Sequence, residues 1–166
     1  MNLKILLIGS VITLAILFAG LVWLSRPEVK PQVPAASVGK LTASETFYDF
    51  GTVSMAKGLV THKFTLTNSG SVPGVVTKLY SSCMCTKAAL DISGKKWGPF
   101  GMPGGHGGTI PAIAAEIAPG QTGDVEAIFD PAAHGPAGVG KIERQITVEQ
   151  NGQPPLILNI KALVTP

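Results

Sequence analysis

Apolar and polar residues alternate along much of this chain with the two-residue period of a β-strand. From Leu59 to Asn68, Val60, His62, Phe64 and Leu66 fall on one face, with Thr61, Lys63, Thr65 and Thr67 on the other. Asp124–Asp130 sets Val125, Ala127 and Phe129 against Asp124, Glu126 and Asp130. Pro155–Val164 alternates through Leu156, Leu158, Ile160, Ala162 and Val164, and Lys141–Glu149 groups Ile142, Ile146 and Val148 on one face with Arg144 among them. Thr46–Val53, carrying Phe47, Tyr48 and Phe50, and Val72–Cys83, with Val75, Thr77, Leu79, Ser81 and Cys83 on one face, extend the set. Turn chemistry separates these runs at Ser54–Gly58, at Asn68–Ser71 and at Asn151-Gly152, the last a hairpin signal. The pattern predicts an all-β fold for residues 44–166, an Ig-like antiparallel β-sandwich of about seven strands.

Three segments depart from this rhythm. Ile5–Leu24 is an uncharged apolar run of twenty residues, which as a helix spans about 30 Å, the hydrocarbon thickness of a bilayer. Trp23 falls where an indole meets the water–lipid boundary. The run exceeds the apolar core of a cleaved signal peptide, and no Ala-x-Ala follows it. Residues 1–25 are therefore expected to form a single-pass anchor in membrane lipid. Basic residues are nearly balanced across it, and the usual insertion of one short leading segment puts the domain outside the cytoplasm, periplasmic or at the cell surface. Residues 26–43 hold prolines and lack apolar periodicity, as expected of a stalk. Between residues 86 and 116 the strands are expected to yield to a glycine-rich insertion, with a short helical stretch at Ile113–Ile117. Six of the eleven residues Gly98–Gly108 are glycine, so ordering this loop costs much backbone entropy. A loop of this length is a candidate interaction surface, centred on Phe100, Gly101, Met102, Pro103, Gly104, Gly105 and His106.

Composition narrows the function classes. Thirteen Lys and Arg against ten Asp and Glu give a net charge of +3, and no basic patch stands out, so nucleic acid is not an expected partner. An envelope protein is the expected partner instead. Two cysteines cannot staple a domain of this size, so an apolar core must hold it. Gly104-Gly-His-Gly-Gly-Thr109 lacks the Gly-Lys-Ser/Thr ending of a phosphate loop. No serine–histidine–acid order or acidic pair stands out, so the chain is not expected to be an enzyme.

Several motifs in order resemble a bacterial Ig-like family known as domain of unknown function 1573. They are Asp49-Phe-Gly-Thr-Val53, Val60–Gly70 ending in Asn-Ser-Gly, Ser82-Cys-Met-Cys-Thr86, Ile117-Ala-Pro-Gly-Gln121 and Val125–Pro131 with its Phe-Asp-Pro. The family is similar to the sperm-protein-like and cilium-associated Ig domains. The resemblance covers roughly Thr46 to Val164 and implies a seven-stranded sandwich, often exported, with no assigned activity. The glycine-rich insertion after Cys85 departs from the simpler members.

The residues with distinctive chemistry are Cys83 and Cys85. In an extended chain they share a face about 6.6 Å apart at Cα, at the upper edge of disulfide geometry. A bend after Cys83 would instead bring both sulfurs onto one ion. Thiolates favour Cu(I) or Zn, and Met102 and His106 in the glycine-rich loop are candidate further ligands, with His134 of the next long loop as a substitute. A strained disulfide, or two uncommitted thiols, are the other readings. Met84 and Met102 read more simply as apolar filling, His106 as an exposed loop residue, and His62 as a half-buried strand residue. A blue-copper site does not fit, because its ligands cluster in one closing loop, whereas 21 positions separate Cys85 from His106.

Overall fold

The computed structural model describes residues 14, 16–18, 20, 39–104 and 108–166. The chain divides into two compact units, Met1–Ala35 and Ala36–Pro166. In the first, Leu14, Ile16, Leu17, Phe18 and Gly20 are helical. Most of the expected anchor and of the stalk lies outside the described residues, among which no helix is long and apolar enough to cross a membrane.

The second unit is a sandwich of two five-stranded sheets. Its strands are β1 (Leu41–Ala43), β2 (Phe47–Ser54), β3 (Val60–Asn68), β4 (Gly74–Ser81), β5 (Thr86–Ile92), β6 (Lys95–Phe100), β7 (Ala115–Ile117), β8 (Thr122–Phe129), β9 (Gly140–Gln150) and β10 (Gln153–Thr165). One sheet runs β1-β3-β8-β5-β6 and the other β2-β10-β9-β4-β7. Every pairing is antiparallel except β2 with β10, which is parallel and corrects the all-antiparallel expectation. The chain enters β2 from β1 of the opposite sheet rather than by a hairpin, so its direction is not fixed by a neighbour in sequence.

The inward faces carry one continuous core. Phe64, Leu66, Val125, Ala127, Phe129, Ile146, Val148, Leu158 and Ile160 are buried, in the alternation the sequence predicts. Burying each large aliphatic or aromatic side chain contributes about 1.5–3 kcal/mol. Phe50 of one sheet meets Phe129 of the other with ring centroids 6.2 Å apart, so the two layers share that core.

Five further expectations need correction. The described residues form ten strands rather than about seven. Residues 41–43 were expected in the stalk, but they pair with Leu66–Asn68, and Leu41 is buried. Residues 86–100 were expected in the insertion, but they form β5 and β6. Their hairpin turns on Ser93 and Gly94 at φ 52° and 88°, the left-handed pair of a type I′ turn. Ile113–Ile117 is not helical; Ala115–Ile117 adds a short edge strand beside β4. In β4 the buried residues are Gly74, Val76, Leu79 and Ser81, not the series Val75, Thr77, Leu79, Ser81. A register shift between Val76 and Lys78 inserts one residue, which flips the phase partway along the strand.

Asn68 ties the layers together. Its Oδ1 accepts from Lys40 N at 3.1 Å and Gly70 N at 2.9 Å, while Nδ2 donates to Val72 O and Ile117 O, both at 2.8 Å. One fully buried amide thereby joins the entry to β1, the β3–β4 turn and β7.

Candidate thiol and histidine site

The site grows from the crossover between the sheets. β4 belongs to one sheet and β5 to the other, so Ser82–Cys85 must bend rather than continue as strand. Thr86 N donates to Cys83 O at 3.1 Å, closing a tight turn. The Ser81 hydroxyl lies beneath it, donating to Thr86 O at 2.6 Å with Cys83 O at 2.9 Å. Ser82 fastens the turn to β9: Ser82 N donates to Gln145 O, and Gln145 N donates to Ser82 Oγ, both at 2.9 Å. Asp130 N donates to Cys85 O at 2.8 Å, fixing the turn to the end of β8.

This bend overturns the extended geometry. Cys83 Sγ and Cys85 Sγ lie 2.9 Å apart as free thiols, with Cys85 as donor. Cys83 is half-buried, whereas Cys85 is packed into the core. His134 comes from the loop after β8, where Asp130 Oδ1 accepts from Ala132 N at 2.9 Å and a 3-10 turn, Gly135–Gly138, follows. Its Nε2 is 3.2 Å from Cys83 Sγ. The ligand atoms of Cys83, Cys85 and His134 all lie within 4.8 Å of one another.

A fourth residue completes the cluster. Arg144 of β9 donates from Nε to Cys85 Sγ at 3.2 Å and from Nη1 to Glu143 O at 2.8 Å. Its surroundings also form a cleft with Phe47, Ser82, Gln145 and Asn159. Sequence reasoning did not count Arg144 among the site residues. The signal was nonetheless present, since a cation sharing the inward phase of Ile142, Ile146 and Val148 requires a buried partner.

The electrostatics separate the two thiols. Burial opposes ionisation of Cys83, but hydrogen bonds from the Cys85 thiol, the Cys85 backbone N–H and His134, with the Arg144 charge, outweigh it and lower its pKa to about 7. Burial pushes Cys85 up, and the sulfur of Cys83 beside it does the same, against the hydrogen bonds from Arg144 and Thr86. The pair thus favours one thiolate, on the accessible sulfur, hydrogen-bonded by the buried thiol.

Of the sequence candidates, Cys83, Cys85 and His134 converge. His106 and Gly105 lie outside the described residues. Met102 is half-buried after Gly101, whose carbonyl accepts from Ser81 N at 3.1 Å, so the glycine-rich loop leaves β6 beside the cysteine turn. Phe100 packs on the core edge, and Pro103 and Gly104 are exposed in a turn. The loop's far end is fixed by Ile113 N donating to Thr77 O at 2.8 Å. His62 takes no part: it stacks on Tyr48 at 3.5 Å and bonds Glu45 Oε1 at 2.7 Å.

Fold and cluster together define the class: an Ig-like β-sandwich domain with a Cys-Met-Cys turn and a histidine at the crossover between its sheets. Residues 41–98 match the family described as "Protein of unknown function (DUF1573)", the family its motifs resemble. No curated protein matches the chain by sequence. Among solved structures, the chain is similar to a protein of unknown function from Porphyromonas gingivalis W83, at 19% identity and TM-score 0.58 over 80% of this chain. The chain spans 50% of that protein's length. It is also similar to the ASH/PapD-like domain 7 of human CEP192, at 14% identity and TM-score 0.45 over 84% of this chain and 92% of that one. The CooA pilin subunit of enterotoxigenic Escherichia coli aligns at 14% identity and TM-score 0.43, over 77% of this chain and 99% of that one. At these identities the likeness to the Porphyromonas protein speaks for the fold alone.

Proposed function

We propose that this chain is a membrane-tethered, extracytoplasmic Ig-like module that binds a soft metal ion, Cu(I) or Zn, through Cys83, Cys85 and His134. The observation that carries the reading is the convergence of two sulfurs and one imidazole nitrogen within 4.8 Å, drawn from two segments some fifty positions apart. Two thiolates and an imidazole are a donor set that soft and borderline ions prefer. The tether draws its support from the uncharged run Ile5–Leu24. An exported location strengthens the metal reading, because unligated thiols oxidise there. Recognition of an envelope protein is compatible with the same sandwich, but the converging side chains favour metal binding.

The test uses the full chain, reduced and held in detergent. Titration against a chromophoric Cu(I) chelator, and separately against a zinc chelator, is expected to give one ion per chain. Cys83→Ser/Cys85→Ser abolishes the binding, and His134→Ala weakens it while leaving the circular dichroism unchanged. Metal content unaffected by the double substitution overturns the reading.

A further inference from the structure

Arg144 gives the cluster a feature that its three ligand atoms alone do not have. Its guanidinium is fixed to Cys85 Sγ at 3.2 Å, while His134 Nε2 lies 3.2 Å from Cys83 Sγ. β9 holds this position by its pairing on both sides, with Glu143 and Arg144 opposite Lys161 and Ile160 of β10, and Gln145 bonded to the Ser82 turn. Arg144 is therefore a built part of the site and not a wandering surface cation. The acid on the neighbouring loop, Asp130, turns its Oδ1 to Ala132 N, and Glu143 meets Arg144 through its carbonyl oxygen.

We infer that Arg144 makes this a site for a monovalent soft cation, Cu(I), in preference to Zn(II). The inference rests on the metal-binding reading above and names which ion the site takes. Counting charge carries the argument. A Cu(I) ion bound by two thiolates and a neutral imidazole leaves a complex of charge −1, which the guanidinium neutralises. A Zn(II) ion on the same ligands is already neutral, so the guanidinium becomes an uncompensated positive charge beside a dication. A full unit charge at this range alters relative affinity by on the order of tenfold or more, even with the screening of a half-exposed position. Coordination works in the same direction. Cu(I) is satisfied by two or three soft donors, the number that converges among the described residues, whereas zinc favours four ligands in a tetrahedron.

Because Arg144 acts through the sulfurs rather than as a ligand, it is a positioning and charge-balancing residue. The experiment must therefore read a ratio and not simply a loss. Affinities for Cu(I) and Zn(II) are measured with competing chelators on the full chain, for the wild type, Arg144→Gln and Arg144→Lys. Arg144→Gln is expected to move the ratio of the two dissociation constants toward zinc by about tenfold or more. Arg144→Lys keeps the charge and is expected to retain most of the wild-type ratio. A Gln variant that weakens both ions equally reduces Arg144 to a structural residue and overturns the inference while the metal reading stands. A wild type that binds neither ion overturns both. Should Arg144→Gln fail to fold, Arg144→Met supplies the second measurement. It removes the same charge and is expected to move the ratio toward zinc in the same way, and an unchanged ratio overturns the inference.

Discussion

In the metal-free protein, the Cys83–Cys85 pair should behave as one reactive and one protected thiol, and alkylation kinetics can resolve them. Cys83 ionises near 7 instead of 9.0, held by the Cys85 and His134 hydrogen bonds and by the Arg144 charge against the cost of burial. At pH 7 that drop raises the thiolate fraction from about 1% to about 50%. A less basic thiolate is also a weaker nucleophile, by a Brønsted coefficient of about 0.4–0.5, so two units cost roughly eightfold. The net expectation is a Cys83 rate about sixfold above that of an unperturbed thiol at neutral pH, reduced somewhat by its half-burial.

The assay is iodoacetamide labelling of the reduced chain followed by mass spectrometry, with each cysteine quantified over a range of pH. The sign is fixed by the acid form being the unreactive one: the rate rises with pH, with its midpoint near 7 for Cys83. Cys85, buried and pushed up, labels only at higher pH or after the chain opens. Arg144→Met and His134→Ala should each move the Cys83 midpoint upward, because each removes an interaction that favours the thiolate. A Cys83 midpoint at that of a free thiol, or labelling of Cys85 first, refutes the assignment of the charge to the outer sulfur.

Two stability predictions follow from the packing. Asn68→Ala strips four hydrogen bonds from a buried junction and leaves Val72 O and Ile117 O without their donor, so urea unfolding should show a loss of about 2–4 kcal/mol. Gly39→Ala drives a Cβ into Gly74 Cα and to 2.5 Å from Pro73 O, backbone atoms that cannot rotate away. It should cost about 1–3 kcal/mol by the same measurement, and an unchanged midpoint would mean that this approach of the chain to β4 is not needed for the fold.

What the sequence disclosed, and what it did not, follows from the length scale of each signal. Strands β3, β8, β9 and β10 run long enough, with large enough apolar residues, for period two to fix both their existence and their inward face. β5 carries the same period in Thr86, Ala88, Leu90 and Ile92, all buried, yet its small alanines and the glycines that follow blur it. The short strands β1 and β7 are made by partners distant in sequence, and three residues hold no period of their own. In β4 the period itself misleads, because a bulge is a property of the pairing with β9 and leaves no mark on the alternation. The site divides in the same way. Cys83, Cys85 and His134 announce themselves by residue type, whereas Arg144 requires reading a charge on an apolar face as a request for a partner.

The cysteine spacing illustrates why residue type alone could not decide among disulfide, free thiols and ligands. Two residues apart, the sulfurs are held apart in a strand and brought together in a turn, and which one occurs depends on where the sheet ends. Here the sheet ends at Ser81 because the chain must cross to the opposite layer, and β9 and β8 grip the crossover through Gln145 and Asp130. Those two strands also deliver the other polar members of the cluster, since Arg144 precedes Gln145 and His134 follows Asp130 by four positions. The contacts that shape the turn and the side chains that surround its sulfurs therefore come from the same short segments. A displacement of either strand alters turn geometry and sulfur environment together, so the chemistry of the site is coupled to the integrity of the sandwich edge.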